Sequence, residues 1–182
     1  MLIDTLFAVV ILIAIFVLFI STKPSAYKVV QQTTIAAPPI IAFEQVNNFR
    51  SWPAWSPYAE MDPDAVYVYS GPSSGKGAKV AWVANKKVGV GNMTILDSRP
   101  GEFVRIRLEF IKPFASVNDV EFTFVPQGNQ TVVTWSIVGP LSFVFKTMHL
   151  LLNMNKIIAG QFSHGLAKLK NIVEGASVVS RA

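Results

Sequence analysis

From Thr5 to Ile20 the chain reads TLFAVVILIAIFVLFI, without a charge, a glycine or a proline. No other feature constrains the fold as tightly. Extended to Leu2–Ile20, the run holds a single charge, Asp4. As a helix rising about 1.5 Å per residue it would be roughly 28 Å long, against a bilayer hydrocarbon core of about 30 Å. Lipid offers no partners for backbone N–H and C=O groups, so such a segment crosses as a helix that satisfies them internally. The run is apolar on every side, which argues against a buried helix of a soluble domain, where one stripe would suffice. Ser21-Thr22-Lys23-Pro24 ends it with polar groups and a helix breaker. A cleaved leader would need basic residues before the run and a small-x-small site after it. No Lys or Arg precedes it, and Pro24-Ser25-Ala26 puts a proline in the way of cleavage. The expectation is a retained single-pass anchor over residues 1–22 and a linker at 23–26. Lys23 and Lys28 flank its C-terminal side, which places the remainder in the cytoplasm by the positive-inside asymmetry.

Composition agrees with a chain partly out of water. Of 182 residues, 51% are hydrophobic and 15% charged, whereas soluble domains carry about 25% charge. The same figures exclude disorder. The absence of cysteine removes disulfide scaffolds, thiol nucleophiles, zinc fingers and iron–sulfur sites. The net charge of +5 suits an anionic membrane surface or nucleic acid. Lys76, Lys79, Lys86 and Lys87 lie between Asp64 and Asp97 with no acid among them, and Glu174 is the one acid after Lys146. A solvated surface accounts for these charges. A face held to anionic lipid is the second reading, each residue adding about 1 kcal/mol. No nucleic-acid recognition motif is present, and a tether argues against that partner.

Beyond the anchor the pattern is α+β. SAYKVVQQTTIA (25–36) reads as a first strand, and Pro38-Pro39 followed by Ile40, Ile41, Phe43, Val46 and Phe49 as a short amphipathic helix. Strands follow at 66–70, 78–84, 88–97, 103–110, 118–124 and 131–138, separated by glycine, proline and asparagine turns. They form an antiparallel meander with one buried and one wet face. After Gly139-Pro140, the residues Leu151, Met154, Ile158, Phe162, Leu166, Leu169 and Val173 make one apolar stripe on a long C-terminal helix. Such a helix laid on a curved sheet leaves space between the two.

The stretches FEQVNNFRSWPAWSPY, YSGPSSGKGAKVAW, VGVGNMTILDSRPGE and NKIIAGQFSHGLAKLKNIVE resemble the SRPBCC or START-like superfamily, in its polyketide cyclase/dehydrase branch. The resemblance spans Tyr27 to Glu174. It implies a helix-grip fold, a curved antiparallel sheet wrapped around a long C-terminal helix, over residues 27–176, with 177–182 as a tail. It is specific for a fold rather than a reaction.

Few residues point to chemistry. His149 and His164 are too far apart to face each other along a helix and read as surface or interfacial histidines, with no metal or cofactor site. Glu109, Asp119 and Glu121 share the polar strand face with Arg105 and Arg107, as a cross-strand ladder would. That face points away from any cavity, so no carboxylate pair is positioned for acid–base work. Gly71–Gly77 fails the phosphate-loop pattern, because glycine follows its lysine. The informative residues are apolar. Trp82, Met93, Phe110, Phe122 and Trp135 on strands, with Met154, Ile158 and Phe162 on the helix, either fill a core or line a ligand cavity. The resemblance sets Trp52, Trp55 and Tyr58 at the mouth of such a cavity.

Three functions follow. The first is a membrane-anchored module that binds a hydrophobic small molecule, a lipid, quinone or isoprenoid, and in which alanine at Trp82 or Trp135 weakens binding without unfolding the domain. The alternative is an accessory or assembly subunit of a larger membrane protein complex. The third, a cyclase-like enzyme, has no evident acid, base or nucleophile.

Overall fold

The structure is a computed structural model that describes residues 2–179. The first helix, α1 (Leu2–Ser21), carries a nearly continuous apolar surface exposed along its length and is long and apolar enough to cross a membrane. Its last turn differs. Ile20 is fully buried there, where the end of α1 meets a later helix.

The strands are β1 (Ala26–Ile35), β2 (Val66–Ser70), β3 (Lys79–Val83), β4 (Val90–Arg99), β5 (Phe103–Lys112), β6 (Ser116–Gln127) and β7 (Gln130–Pro140). They form one antiparallel sheet in the order β1-β7-β6-β5-β4-β3-β2. Every strand after β1 is joined to its neighbour by a hairpin, and β1 closes the other edge against β7. Between β1 and β2 lie α2 (Pro39–Asn47), a 3-10 turn (Phe49–Ala54) and α3 (Pro57–Met61). Prolines open both α-helices, at a position where the missing N–H costs nothing.

The C-terminal helical region is two helices rather than one. α4 (Phe143–Leu152) is capped by the Ser142 hydroxyl, which accepts from the Phe145 N–H at 3.4 Å. It ends at Asn153, whose φ of 47° and ψ of 49° are left-handed, a conformation asparagine tolerates and one that turns the chain. α5 (Met154–Val179) then runs on to lie across the sheet. The apolar stripe divides at this break. Phe162, Leu166, Leu169 and Val173 are buried on α5 against the sheet, while Leu151 belongs to α4. The side chains of Leu151 and His149, and residues 180–182 of the expected tail, lie outside the described residues. α5 is also pinned by polar contacts. Lys170 donates to the Thr34 carbonyl at 2.8 Å, and Glu174 accepts from the Ala36 N–H at 2.7 Å. This is the α+β helix-grip arrangement.

The core lies between the inner face of the sheet and the cover made by α2, the 3-10 turn and α5. Val104, Ile106, Val120, Phe122, Phe124, Val133 and Trp135 are buried on alternate strand positions. The opposite face is wet. There Arg105 faces Glu121 and Arg107 faces Asp119 across β5 and β6, and Arg105 donates to Glu121 at 2.6 Å.

Candidate functional site

A cavity of about 430 Å³ separates α4 and the start of α5 from the sheet. Ligand pockets run from about 300 to 1,000 Å³, so the space between helix and sheet is open. Strand alternation supplies one wall. On β3 and β4, Val80 and Trp82 pair with Met93 and Gly91. On β5 and β6, Leu108, Phe110 and Val120 share the inner face, and Trp135 and Ile137 continue it on β7. The helices supply the other wall with Phe145 and Met148 from α4 and Met154, Ile158 and Phe162 from α5.

Seven of the nine residues expected at the site are on this lining: Trp82, Met93, Phe110, Trp135, Met154, Ile158 and Phe162. Trp55 and Phe122 are not. Both are fully buried. Trp55 sits edge-on to Phe122 at 6.0 Å and to Trp135 at 5.7 Å, and Phe122 stacks on Trp135 at 4.9 Å. They form the layer behind the wall. The expected mouth of Trp52, Trp55 and Tyr58 is corrected as well. Trp52 is buried, donates its indole N–H to the Val46 carbonyl at 2.9 Å, and borders the cavity from within. Tyr58 lines the interior. The cause is the 3-10 turn, which folds the Trp-Pro-x-Trp segment under α2 rather than outward.

Gly91 leaves the room that the Trp82 ring occupies. A Cβ there would stand 2.5 Å from the Trp82 ring and 2.5 Å from the Glu109 carbonyl oxygen. Trp82 in turn meets Phe110 edge-on at 6.0 Å.

The sequence reading missed the polar part of the lining. Tyr27 donates its hydroxyl to Asn118 Oδ1 at 3.1 Å, and Asn118 Nδ2 donates to Ser116 Oγ at 3.2 Å. Asn118 is buried. Burial pushes the Tyr27 hydroxyl up to about 12. Burial, with Tyr27 nearby, raises Tyr58 further. Both hydroxyls therefore keep their protons at neutral pH and act as donors, not bases. Tyr67 and Tyr69 also face inward from β2, a Val-Tyr-Val-Tyr alternation legible in the sequence. Lys86 and Lys87, with Val88, Pro113 and Phe114, complete the lining at its exposed end.

The ionisable cluster nearest to chemistry lies outside the cavity. His164 Nε2 is 2.8 Å from a Glu60 oxygen, and Lys168 donates to the other oxygen of the same carboxylate. These contacts tie α3 to α5 and hold the Glu60 carboxyl below the usual carboxylate range, chiefly through the bond from Lys168. A lowered folded-state value stabilises above the unfolded value and is lost as pH falls through the folded one. Wild type should therefore melt above Glu60→Gln near neutrality. The gap should close as acid titrates the carboxyl, from about pH 4 downward. Melting curves of both proteins across that range check it; a constant gap would assign the effect to something other than ionisation. Among the described residues no group of His, Asp or Glu is arranged to hold a metal.

A family model described as polyketide cyclase / dehydrase and lipid transport matches residues 26–174. No curated protein matches the chain at the sequence level. Among solved structures the fold is similar to protein TTHA0849 of Thermus thermophilus, with 18% identity over 83% of this chain and 99% of that one, at a TM-score of 0.58. It is similar to protein CV1439 of Chromobacterium violaceum, with 15% identity over 84% and 99% and a TM-score of 0.56. It is also similar to BexL, a di-domain aromatase/cyclase of the BE-7585A biosynthetic pathway, with 11% identity over 85% of this chain and 52% of that one, at a TM-score of 0.63. At these identities the likeness is one of fold, the SRPBCC or START-like fold.

Proposed function

We propose that this chain, which belongs to the polyketide cyclase / dehydrase and lipid transport family, is a membrane-anchored module that holds a hydrophobic small molecule between its sheet and its C-terminal helices. The observation that carries the reading is the cavity of about 430 Å³ with a wall made mostly of aromatic and aliphatic side chains. An apolar ligand placed there sheds its water shell at roughly 25 cal/mol per Å² of surface buried. The Tyr27–Asn118–Ser116 chain gives one polar point to orient it. A lipid, quinone or isoprenoid has this chemistry, a long apolar body with a small polar group.

Anchoring by α1 supports the same class, because such ligands dissolve in the bilayer that α1 would cross. The flanking Lys23 and Lys28 favour the domain on the cytoplasmic side. Protease digestion of membrane vesicles of known orientation tests that sidedness. Binding fits this lining better than turnover does. Its polar groups are protonated tyrosines, serines, Asn118 and two lysines at the rim, and among the described residues no carboxylate is on the wall to exchange a proton.

Native mass spectrometry of the full-length protein, extracted from its own membranes in mild detergent, tests the reading. The expected result is an apolar adduct of small-molecule mass, released on denaturation. A stoichiometric protein partner with no adduct would replace the reading with that of an accessory subunit.

A further inference from the structure

We propose that the mouth of the cavity is pressed against the bilayer that holds α1, so that ligand passes between cavity and lipid without crossing water. The inference rests on the anchored, ligand-binding reading above and adds the surface through which the ligand moves.

The sheet register fixes which end of the domain faces the anchor. Residues 22–25 alone separate Ser21 from Ala26, a reach of no more than roughly 18 Å fully extended. β1 therefore starts at the membrane end. Ala26 pairs with Pro140, the end of β7. Following the antiparallel pairs, Ser116 at the start of β6 meets Phe110, and Lys112 at the end of β5 meets Val90. Val90 pairs with Val83 at the end of β3. The loops 84–89 and 113–115 and the entry to α4 thus share the end that carries the anchor.

The cavity opens at this same end. Apart from Pro53, its exposed lining residues are Lys86, Lys87, Pro113, Phe114 and Pro140. α4 crosses the opening with Phe145 and Met148 facing in, and Phe114 meets Phe145 edge-on at 5.7 Å. α4 is also the helix against which the end of α1 packs. The mouth and the anchor are therefore continuous.

The outer surface of this end suits lipid. Phe114, Phe143, Val144, Leu150, Leu152 and Ile157 are all exposed, from 44% to 55%. They stand on α4, the start of α5 and the loop between β5 and β6, and a patch of exposed apolar residues marks a contact surface. Lysines border them, at Lys86, Lys87, Lys112 and Lys156, and the chain has no acid between Glu121 and Glu174. The carboxylate nearest the 84–89 loop, Asp62, is engaged by the Asn85 N–H at 2.6 Å. Apolar side chains ringed by lysine complement an anionic lipid interface. The far end is unlike it. There the turns are Gln127-Gly128-Asn129-Gln130 and an Arg99–Glu102 ion pair at 3.0 Å.

Because the chain has no cysteine, single-cysteine variants carry one fluorophore each. Full-length Phe114→Cys, Val144→Cys and Asn129→Cys, labelled with an environment-sensitive dye, are reconstituted in phosphatidylcholine/phosphatidylglycerol vesicles containing a doxyl-labelled lipid. The dye at 114 and 144 should be quenched several-fold more strongly than at 129. Val144 takes no part in the Phe114–Phe145 contact, so it reports even where the first variant loosens the mouth. Equal, weak quenching at all three sites in protein that floats with the vesicles would overturn the inference, while the adduct experiment still decides ligand binding. Failure of the chain to float would overturn the anchor and the inference together. Shielding of sites 114 and 144 in native membranes but not in protein-free vesicles would assign the face to a protein partner and overturn it as well.

Discussion

Trp135→Ala should lower the melting temperature of the full-length protein by about 6–20 °C, because the ring is a structural element of the core as well as part of the cavity wall. Trp135 is stacked face to face with Phe162 at 3.9 Å and with Phe122 at 4.9 Å, and it is 2% exposed. It is the junction of sheet, 3-10 turn and α5. Truncating a buried Trp to Ala costs about 3–5 kcal/mol, a large part of the roughly 5–15 kcal/mol that holds a domain together. For a chain of this length each kcal/mol moves the midpoint by about 2–4 °C. Trp135→Phe should lose much less. It keeps a ring between Phe122 and Phe162, and it removes an indole N–H that is buried with no acceptor among the described residues, a group whose burial costs about 1–3 kcal/mol. Thermal melts followed by circular dichroism in mild detergent check both. A Trp135→Ala protein that melts within a few degrees of wild type would show that the aromatic stack carries little of the stability. Alanine at this position is thus expected to cost stability as well as any ligand contact, where the sequence led us to expect weaker binding with the fold untouched, and Trp135 is a poor probe of ligand contact by itself.

That correction shows where sequence reasoning stops. The first helix was legible because fifteen consecutive apolar side chains follow Thr5, from Leu6 to Ile20, and the helix they form is long and apolar enough to cross a membrane. The strands were legible from alternation, as in Val104, Ile106 and Leu108 against Arg105 and Arg107, and so was a charged ladder on the polar face, in which the register pairs Arg105 with Glu121. Alternation assigns a residue to a face of the sheet, however, and not to what covers that face. Phe122 and Trp135 are direct partners across β6 and β7, and Phe110 lies on the same face. Phe110 borders open space while Phe122 lies under Trp52 and Trp55. The difference comes from the 3-10 turn, which has no periodicity to read.

The break at Asn153 was hidden for a related reason. FVFKTMHLLL before it and MNKIIAGQF after it are both helical in composition, so one apolar stripe could be drawn through both. A single left-handed residue re-aims the second helix. Tyr27, Ser116 and Asn118 were missed because each stands at a strand end, where a polar residue ordinarily meets solvent. Only the closure of β1 onto β7 brings Tyr27 to within 3.1 Å of Asn118 Oδ1.

Ile158→Trp and Met93→Trp, made separately and together, should empty the cavity of ligand while leaving the fold in place. Both side chains line the cavity and are only half-buried, so a larger side chain has room to extend into the open volume. Overpacking a filled core costs about 1–3 kcal/mol; growth into about 430 Å³ of space avoids most of that. The indole occupies the volume a ligand would take, so each single variant should weaken binding roughly tenfold or more, equivalent to about 1.4 kcal/mol. The double variant should show no adduct by native mass spectrometry. Neither residue belongs to the Phe122–Trp135–Phe162 stack, although Ile158 lies one turn before Phe162 on α5, and melting temperatures should stay within a few degrees of wild type. The pair of readouts separates the two roles that the aromatic residues combine. Loss of adduct without loss of stability places the ligand between β4 and α5. An adduct retained at wild-type occupancy in a folded double variant would mean that whatever the protein carries is held elsewhere, and the binding reading of this cavity would fail.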